Sequence, residues 1–422
     1  MRPVRVTLII LAAAAVSIGL GTPAQAFHSG GVAECAGCHS MHNPAQIAGN
    51  HLLIASDPSS TCLSCHEQGG LTSPSSYHVA TADADLGATD APYQRTPGGD
   101  FGWLHKTYSF TVRGTTTIEE GETHGHNIVA TDNLYDEDLV NTTAPGGSMD
   151  SSDLGCQSCH DPHGRWRRTD DATATPAYSM TGAPIIGSGS YHNSLVPDAN
   201  NAVGSYRLLA GVGYAPATGV VFNSNPPTAI APSSYNRTEA TTQTFVAYGN
   251  GMGDWCSNCH PDYHQDTSAR FIHPTNEVLD SDIINNYNDY VASGDLSGSQ
   301  ASSYLSLVPY EEGVGTTITT LKTGVGTFSA TAAIPGPDDS ERVMCLSCHR
   351  AHASGWEYGL RWNIEGEFIT YNSLWPGTDN AAPVQFARGR TAAETQAAYY
   401  DRDAGVFASY QRVLCNKCHA KD

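Results

Sequence analysis

Twelve cysteines fall into six Cys-x-x-Cys pairs, and a histidine follows every pair at once. The six runs are Cys35-Ala-Gly-Cys38-His39, Cys62-Leu-Ser-Cys65-His66, Cys156-Gln-Ser-Cys159-His160, Cys256-Ser-Asn-Cys259-His260, Cys345-Leu-Ser-Cys348-His349 and Cys415-Asn-Lys-Cys418-His419. No cysteine is left over. Cys-x-x-Cys-His is the attachment pattern of a c-type haem. The two-residue gap lets both thiols form thioethers with the vinyl groups on one porphyrin edge. The next histidine then gives the iron its first axial nitrogen. Six covalently bound haem c groups are expected, with His39, His66, His160, His260, His349 and His419 as proximal ligands. Competing patterns explain less. A disulfide framework accounts for an even cysteine number but not for the histidines. Zinc sites leave each adjacent histidine idle. A redox dithiol would not recur six times.

The chain opens MRPVRVTLIILAAAAVSIGLGTPAQAF. Arg2 and Arg5 make a basic start, Val6 to Leu20 an apolar run, and Ala24-Gln25-Ala26 a small-x-small cleavage site. That pattern over 1–26 reads as a secretory signal peptide. The apolar run is short for a membrane span, and nothing later approaches one. An exported, soluble product is expected, in keeping with haem attachment after translocation. The 42 acidic residues outnumber the 21 basic ones, for a formal charge of −21. Such a surface excludes nucleic acid as a partner and is repelled by anionic membranes.

Beyond the proximal six, twelve histidines remain: His28, His42, His51, His78, His105, His124, His126, His163, His192, His264, His273 and His352. Six of them would complete six bis-histidine irons, an arrangement of low potential that leaves no open coordination position. Spacing selects among them. Cys-x-x-Cys-His-x-x-His occurs at His39/His42, His160/His163 and His349/His352, with a looser version at His260/His264. Residues three or four apart share one face of a helical turn. The first histidine is held against its own iron, so the second should point outward to a different haem and draw two haems together. His78 in SSYHVAT, His126 in GHNIVA and His273 in FIHPTN sit in short apolar or turn contexts suited to the same task. His28, near the mature N-terminus, and His264 are the weaker candidates. His51, His105, His124 and His192 carry no pattern and read as ordinary polar residues.

The attachment runs start at 35, 62, 156, 256, 345 and 415, close to both ends of the mature chain. With haem this dense, porphyrin supplies much of the core, and loops wrap rings rather than one another. The 42 glycines and 23 prolines agree with a chain rich in turns. The expected fold is mostly irregular, with short helices and few strands, in a single hexahaem domain over 27–422 organised around a linear stack of six haems. Helices are expected at 282–292, 298–307 and 391–400, and strands at 107–112 and 316–321. The 20 tyrosines and 6 tryptophans read as packing against porphyrin faces rather than as relays. The acidic run 132–138 reads as a solvated loop rather than a metal site.

The stretches FHSGGVAECAGCHSMHN, SSYHVAT, TPGGDFGW, GHNIVA, CHDPHG, APSSYNRTEATTQTFVAYG, SQASSYLSLVPYEEG, CLSCHRAHASG and CNKCHAKD carry a resemblance that spans both ends of the chain. The chain resembles the outer-surface hexahaem c-type cytochromes of the extracellular cytochrome nanowire family. Loops around 45–60 and 355–395 depart from that pattern. The resemblance implies little regular structure, six bis-histidine haems in a continuous stack, and head-to-tail polymerisation. It implies that His42 crosses the subunit boundary to complete a neighbour's fifth haem, the one held by Cys345, Cys348 and His349. It also implies counterparts of His28, His42, His78, His126, His163, His264, His273 and His352, but not of His51, His105, His124 or His192.

The reading is an exported electron conduit at the cell outer surface, not an enzyme. It would exchange electrons with other electron-transfer cytochromes and extracellular acceptors. Two alternatives stand beside it. A multihaem reductase of the nitrite or tetrathionate type needs an open iron, often marked by Cys-x-x-Cys-Lys, which is absent here. A monomeric periplasmic carrier would use His42 within its own subunit.

Overall fold

The computed structural model describes residues 35–41, 52–68, 77–172, 177–231, 246–264, 272–313, 317–324 and 334–419. Its α-helices are short: α1 Cys35–Cys38, α2 Pro58–His66, α3 Cys156–Cys159, α4 Met252–Cys256, α5 Ser281–Asp289, α6 Ile318–Gly324, α7 Cys345–Cys348, α8 Val384–Ala387, α9 Ala392–Ala398 and α10 Asn416–His419. The strands are shorter still. β1 (Glu67–Gln68) runs parallel to β2 (Ala80–Thr81), and β3 (Tyr108–Val112) pairs with β4 (Thr115–Glu119) in an antiparallel hairpin. β5 (Arg167–Arg168) lies between β6 (Tyr178–Ser179) and β7 (Val203–Gly204), and β8 (Ala229–Ile230) pairs with β9 (Ala247–Tyr248). The mostly irregular fold expected from composition is what forms.

Local chemistry explains where helices and hairpins do arise. α5 starts because the Asp280 carboxylate accepts the Asp282 N–H. α9 starts on a capping box between Thr391 and Glu394. The β3–β4 hairpin turns on Arg113 and Gly114, both at positive φ (50° and 86°), the geometry of a tight primed turn. These elements match the expectations for 282–292, 391–400 and 107–112.

Two expectations are corrected. Over 298–307 only a three-residue 3-10 turn forms, Gln300–Ser302. Serine hydroxyls compete with the backbone there, as when Ser303 Oγ bonds Asn288 Oδ1 at 2.6 Å. The stretch 316–321, read as a strand from its threonines, is helical from Ile318 onward, and residue 316 lies outside the described residues. Thr317 Oγ1 accepts the Thr320 N–H at 2.8 Å, and the distant Asp171 carboxylate accepts from Ile318 N at 2.7 Å. That cap overrides β propensity.

Coil leaves many carbonyls without a ladder partner, and long cations collect them. Lys106 Nζ donates to the carbonyls of Gly87, Ala88 and Asp90 at 2.9–3.1 Å. Arg390 Nε donates to Gly355 O at 3.0 Å, and Arg361 Nη1 to Ser306 O at 2.9 Å. The largest apolar cluster is aromatic, with Trp103, Trp356, Trp362, Trp375, Tyr287 and Tyr399 all buried. Trp375 stacks on Tyr399 with centroids 4.5 Å apart.

Candidate haem-binding site

Each attachment pair sits on or beside one helical turn, so its two thiols face the same way. No disulfide joins any of the twelve cysteines. Serines inside the runs fix the turns: Ser158 Oγ accepts from Gly155 N at 3.0 Å, and Ser347 Oγ accepts from Met344 N at 3.2 Å. Neighbouring runs touch. Ser59 Oγ in α2 accepts the Cys156 N–H at 3.1 Å. The Cys156 thiol pushes the pKa of Cys62 up, and the Cys345 thiol does the same to Cys256. The second run therefore abuts the third, and the fourth abuts the fifth.

The proximal histidines are aimed by the backbone. Nδ1 of His66 donates to Tyr77 O at 2.7 Å, His160 to Arg207 O at 2.7 Å, His260 to Pro145 O at 2.8 Å and His349 to Tyr358 O at 2.8 Å. A carbonyl only accepts, so Nδ1 carries the proton and Nε2 keeps its lone pair for a metal. His126 is held the same way, Nδ1 to Ala351 O at 2.8 Å.

Four proximal rings face a second histidine ring. The centroids lie 6.4 Å apart for His39–His163, 6.4 Å for His160–His352, 6.1 Å for His260–His126 and 6.3 Å for His419–His273. With a metal–nitrogen bond of about 2 Å and roughly 1.1 Å from nitrogen to ring centroid, two imidazoles on opposite sides of one metal stand about 6.2 Å apart. The spacing leaves room for an iron and forbids direct stacking. His78 is brought to His66 by the β1–β2 pairing and by Val79 N donating to His66 O at 2.8 Å. The donor set fits haem c: free thiols i,i+3 on a turn, a lone-pair nitrogen beside them, and a second imidazole opposite.

Burial favours the neutral form of His352, His126, His78 and His273. Burial first, and then the facing His160, push His352 down to about 3. Burial and then His260 push His126 down to about 4. Burial lowers His78 and His273 too, with His66 and His419 the next contributions. A neutral imidazole at physiological pH is the ligating form.

The first, third and fifth runs share one local architecture. His39, His160 and His349 each form an antiparallel bridge with a leucine: Leu53, Leu209 and Leu360. The residue after the histidine donates its N–H to the residue before the leucine: Ser40 to Leu52, Asp161 to Leu208, Arg350 to Gly359. The residue after the leucine donates to the second cysteine: Ile54 to Cys38, Ala210 to Cys159, Arg361 to Cys348. All six bonds span 2.6–3.0 Å. Leu52, Leu208 and Gly359 all have positive φ (59°, 57° and 63°), which costs a leucine about 1–3 kcal/mol. These same runs carry the His-x-x-His spacing. His163 of the third run faces the proximal ring of the first, and His352 of the fifth faces that of the third.

The remaining histidines divide clearly. His264, a weaker candidate, has both ring nitrogens engaged, with Asp254 at 2.7 Å and Thr275 Oγ1 at 3.1 Å. It stands apart from the facing pairs. His105 lies 3.7 Å from Asp83, and His124 sits buried between Glu119 and Trp103 O. His28, His42 and His51 lie outside the described residues. Among the described residues His349 faces no second histidine ring at the spacing of the other pairs.

One position tests the geometry. A Cβ on Gly98 would stand 2.9 Å from His352 Nδ1 and 3.1 Å from Cε1. Phe101 closes the ring's other side at 4.7 Å. Gly98→Ala is expected to displace the imidazole and give one of six haems high-spin character at unchanged haem content. An all-low-spin ferric absorption spectrum would contradict it.

No protein-family model matches the chain. It is 50% identical over 435 aligned residues to the C-type cytochrome OmcS of Geobacter sulfurreducens, covering 98% of each chain. Two solved structures are similar over 94% of this chain and all of theirs, at 48% identity. They are the cryo-EM structure of OmcS nanowires from Geobacter sulfurreducens, with a TM-score of 0.84, and the Outer Membrane Cytochrome S filament, with a TM-score of 0.85.

Proposed function

The chain belongs to the family of the c-type cytochrome OmcS, and from that premise we propose that it is an exported hexahaem electron conduit that polymerises head to tail into an extracellular filament. Haem c, when bound, supplies the one-electron iron couple. The chain holds six such groups by Cys35/Cys38, Cys62/Cys65, Cys156/Cys159, Cys256/Cys259, Cys345/Cys348 and Cys415/Cys418. The irons would be held by His39 with His163, His66 with His78, His160 with His352, His260 with His126 and His419 with His273, and His349 would take its partner from another molecule. With both axial positions filled by protein, no iron is left for substrate, which fits electron transfer rather than reduction of nitrite or tetrathionate.

The shared architecture of the odd-numbered runs carries the assembly. In two of its three copies the second histidine of His-x-x-His serves the run two places earlier. The first run has no such predecessor in its own chain. Applied there, the rule sends His42 to the fifth run of the preceding subunit, where His349 awaits a partner. The filament of the OmcS relative supports this, and the monomeric carrier has no equivalent support. Electrons then pass along the subunit and across the junction, exchanging at the ends with other cytochromes or extracellular acceptors at the outer surface.

Electron microscopy of the haem-loaded protein tests the reading. Filaments with six haems per subunit are expected, and single particles under all assembly conditions would overturn it.

A further inference from the structure

Only one attachment run encloses a charge. The paired inner residues are Ala-Gly, Leu-Ser, Gln-Ser, Ser-Asn and Leu-Ser in the first five runs, and Asn416-Lys417 in the sixth. Lys417 is not a surface lysine: it is 4% exposed. Its Nζ donates to the Tyr290 carbonyl at 2.6 Å and lies 4.5 Å from the ring centroid of Tyr287 and 5.9 Å from that of Tyr290. Among the described residues no carboxylate stands within ion-pair range of it. The other strongly buried lysine, Lys106, has Glu394 at 2.9 Å.

The position is rigid. α10 packs on α5, where Asn286 Nδ2 donates to Cys418 O at 3.1 Å. Tyr287 OH donates to Val308 O at 2.8 Å, which fixes the ring under the ammonium. Carbonyl and aromatic faces stabilise a cation without neutralising it. The same turn carries Cys418 and His419, so a positive charge lies between the two cysteines of the sixth run, a position that is uncharged in the other five.

We infer that Lys417 raises the reduction potential of the sixth haem site above the value that site would have without the charge. This rests on the hexahaem reading above. The half-reaction adds one electron, received from the adjacent haem, and lowers the charge of the site by one. A fixed neighbouring cation favours the reduced side. At an effective dielectric of about 20 and a separation near 10 Å the preference is at least about tenfold in the ferrous/ferric ratio. That is about 59 mV for one electron.

The test is a spectroelectrochemical titration of filaments at pH 7 with Lys417→Gln, which keeps a donor for the Tyr290 carbonyl but no charge, and with Lys417→Arg. In Lys417→Gln one of six components should fall by at least about tenfold in its ferrous/ferric ratio while five stay in place. Lys417→Arg should titrate like the unaltered protein. A Lys417→Gln curve superimposed on the unaltered one overturns the inference, as does an equal shift in Lys417→Arg. Lys417→Met, closer in shape, gives the same reading should the amide perturb packing. Haem content is counted in parallel, and fewer than six haems in the unaltered protein would fail the hexahaem reading itself.

Discussion

His42→Ala is expected to abolish filaments while leaving six haems covalently attached. Attachment depends on the six cysteine pairs, none of which the substitution touches. In the proposed filament, assembly depends on an iron in one subunit taking a nitrogen from the next. Without that nitrogen the fifth haem keeps only His349 and becomes high-spin and open to added ligands. The signature is therefore double: single particles by microscopy, and one haem in six that binds cyanide or imidazole. Added imidazole should restore the low-spin spectrum without restoring filaments, because a free ligand replaces the bond but not the tether. Filaments of ordinary abundance in this variant would remove the cross-subunit role of His42. An all-low-spin spectrum without added ligand would place the missing partner of His349 within its own chain.

The cofactor was legible because thioether chemistry needs a fixed local spacing. Nothing about the rest of the fold is needed to see that Cys156, Cys159 and His160 belong together. The outward turn of His163 and His352 was legible for a similar reason: one helical turn cannot present two imidazoles to both faces of the same ring. Which iron each one meets was not. His163 faces His39, far away in sequence, and that pairing is set by loops whose course no local pattern encodes. The shared architecture of the first, third and fifth runs is hidden for a related reason. Leu53 and Leu360 follow their histidines closely, whereas Leu209 follows His160 after a long excursion containing β5, β6 and β7. Backbone hydrogen bonds repeat where the sequence does not. His124 was read as an ordinary polar residue and is instead buried. Its partner Glu119, and the Arg388 and Arg390 that share that carboxylate, are charges that composition alone assigns to the surface.

Those partners carry the largest stability effect, expected for Glu119→Gln. Glu119 is 1% exposed. It accepts from His124 Nε2 at 2.9 Å, from Arg388 Nη2 at 3.2 Å and from Arg390 Nη2. Nδ1 of His124 faces the Trp103 carbonyl at 2.9 Å, so the ring is clamped between that carbonyl and the Glu119 carboxylate. Arg388 has a second carboxylate, Glu357, at 2.8 Å, but Arg390 and His124 depend on Glu119. Neutralising it strands the buried Arg390 guanidinium, a loss on the order of 3–5 kcal/mol. The damage reaches two of the proposed haem ligands. Gly125 bridges Ala353, and His126 N donates to His352 O at 2.9 Å. The segment anchored by Glu119 thus holds both His126 and His352 in place. Acid should act through the same group. Burial alone would raise its pKa, but the hydrogen bond from His124 and the charge of Arg390 outweigh it and hold the carboxyl down to about 2, against an ordinary 4.5. A depressed folded-state value stabilises the protein above the unfolded pKa, and that stability is lost as pH falls through the folded one. About 3 kcal/mol should therefore disappear between pH 4.5 and about 2. Guanidinium unfolding followed by tryptophan fluorescence, which haem quenches in the folded state, measures both effects. Glu119→Gln should lower the midpoint sharply at pH 7 and flatten the acid dependence below pH 4.5, while the exposed Glu137→Gln changes neither. A Glu119→Gln protein with the midpoint and acid profile of the unaltered one would show that its neighbours hold the segment without it.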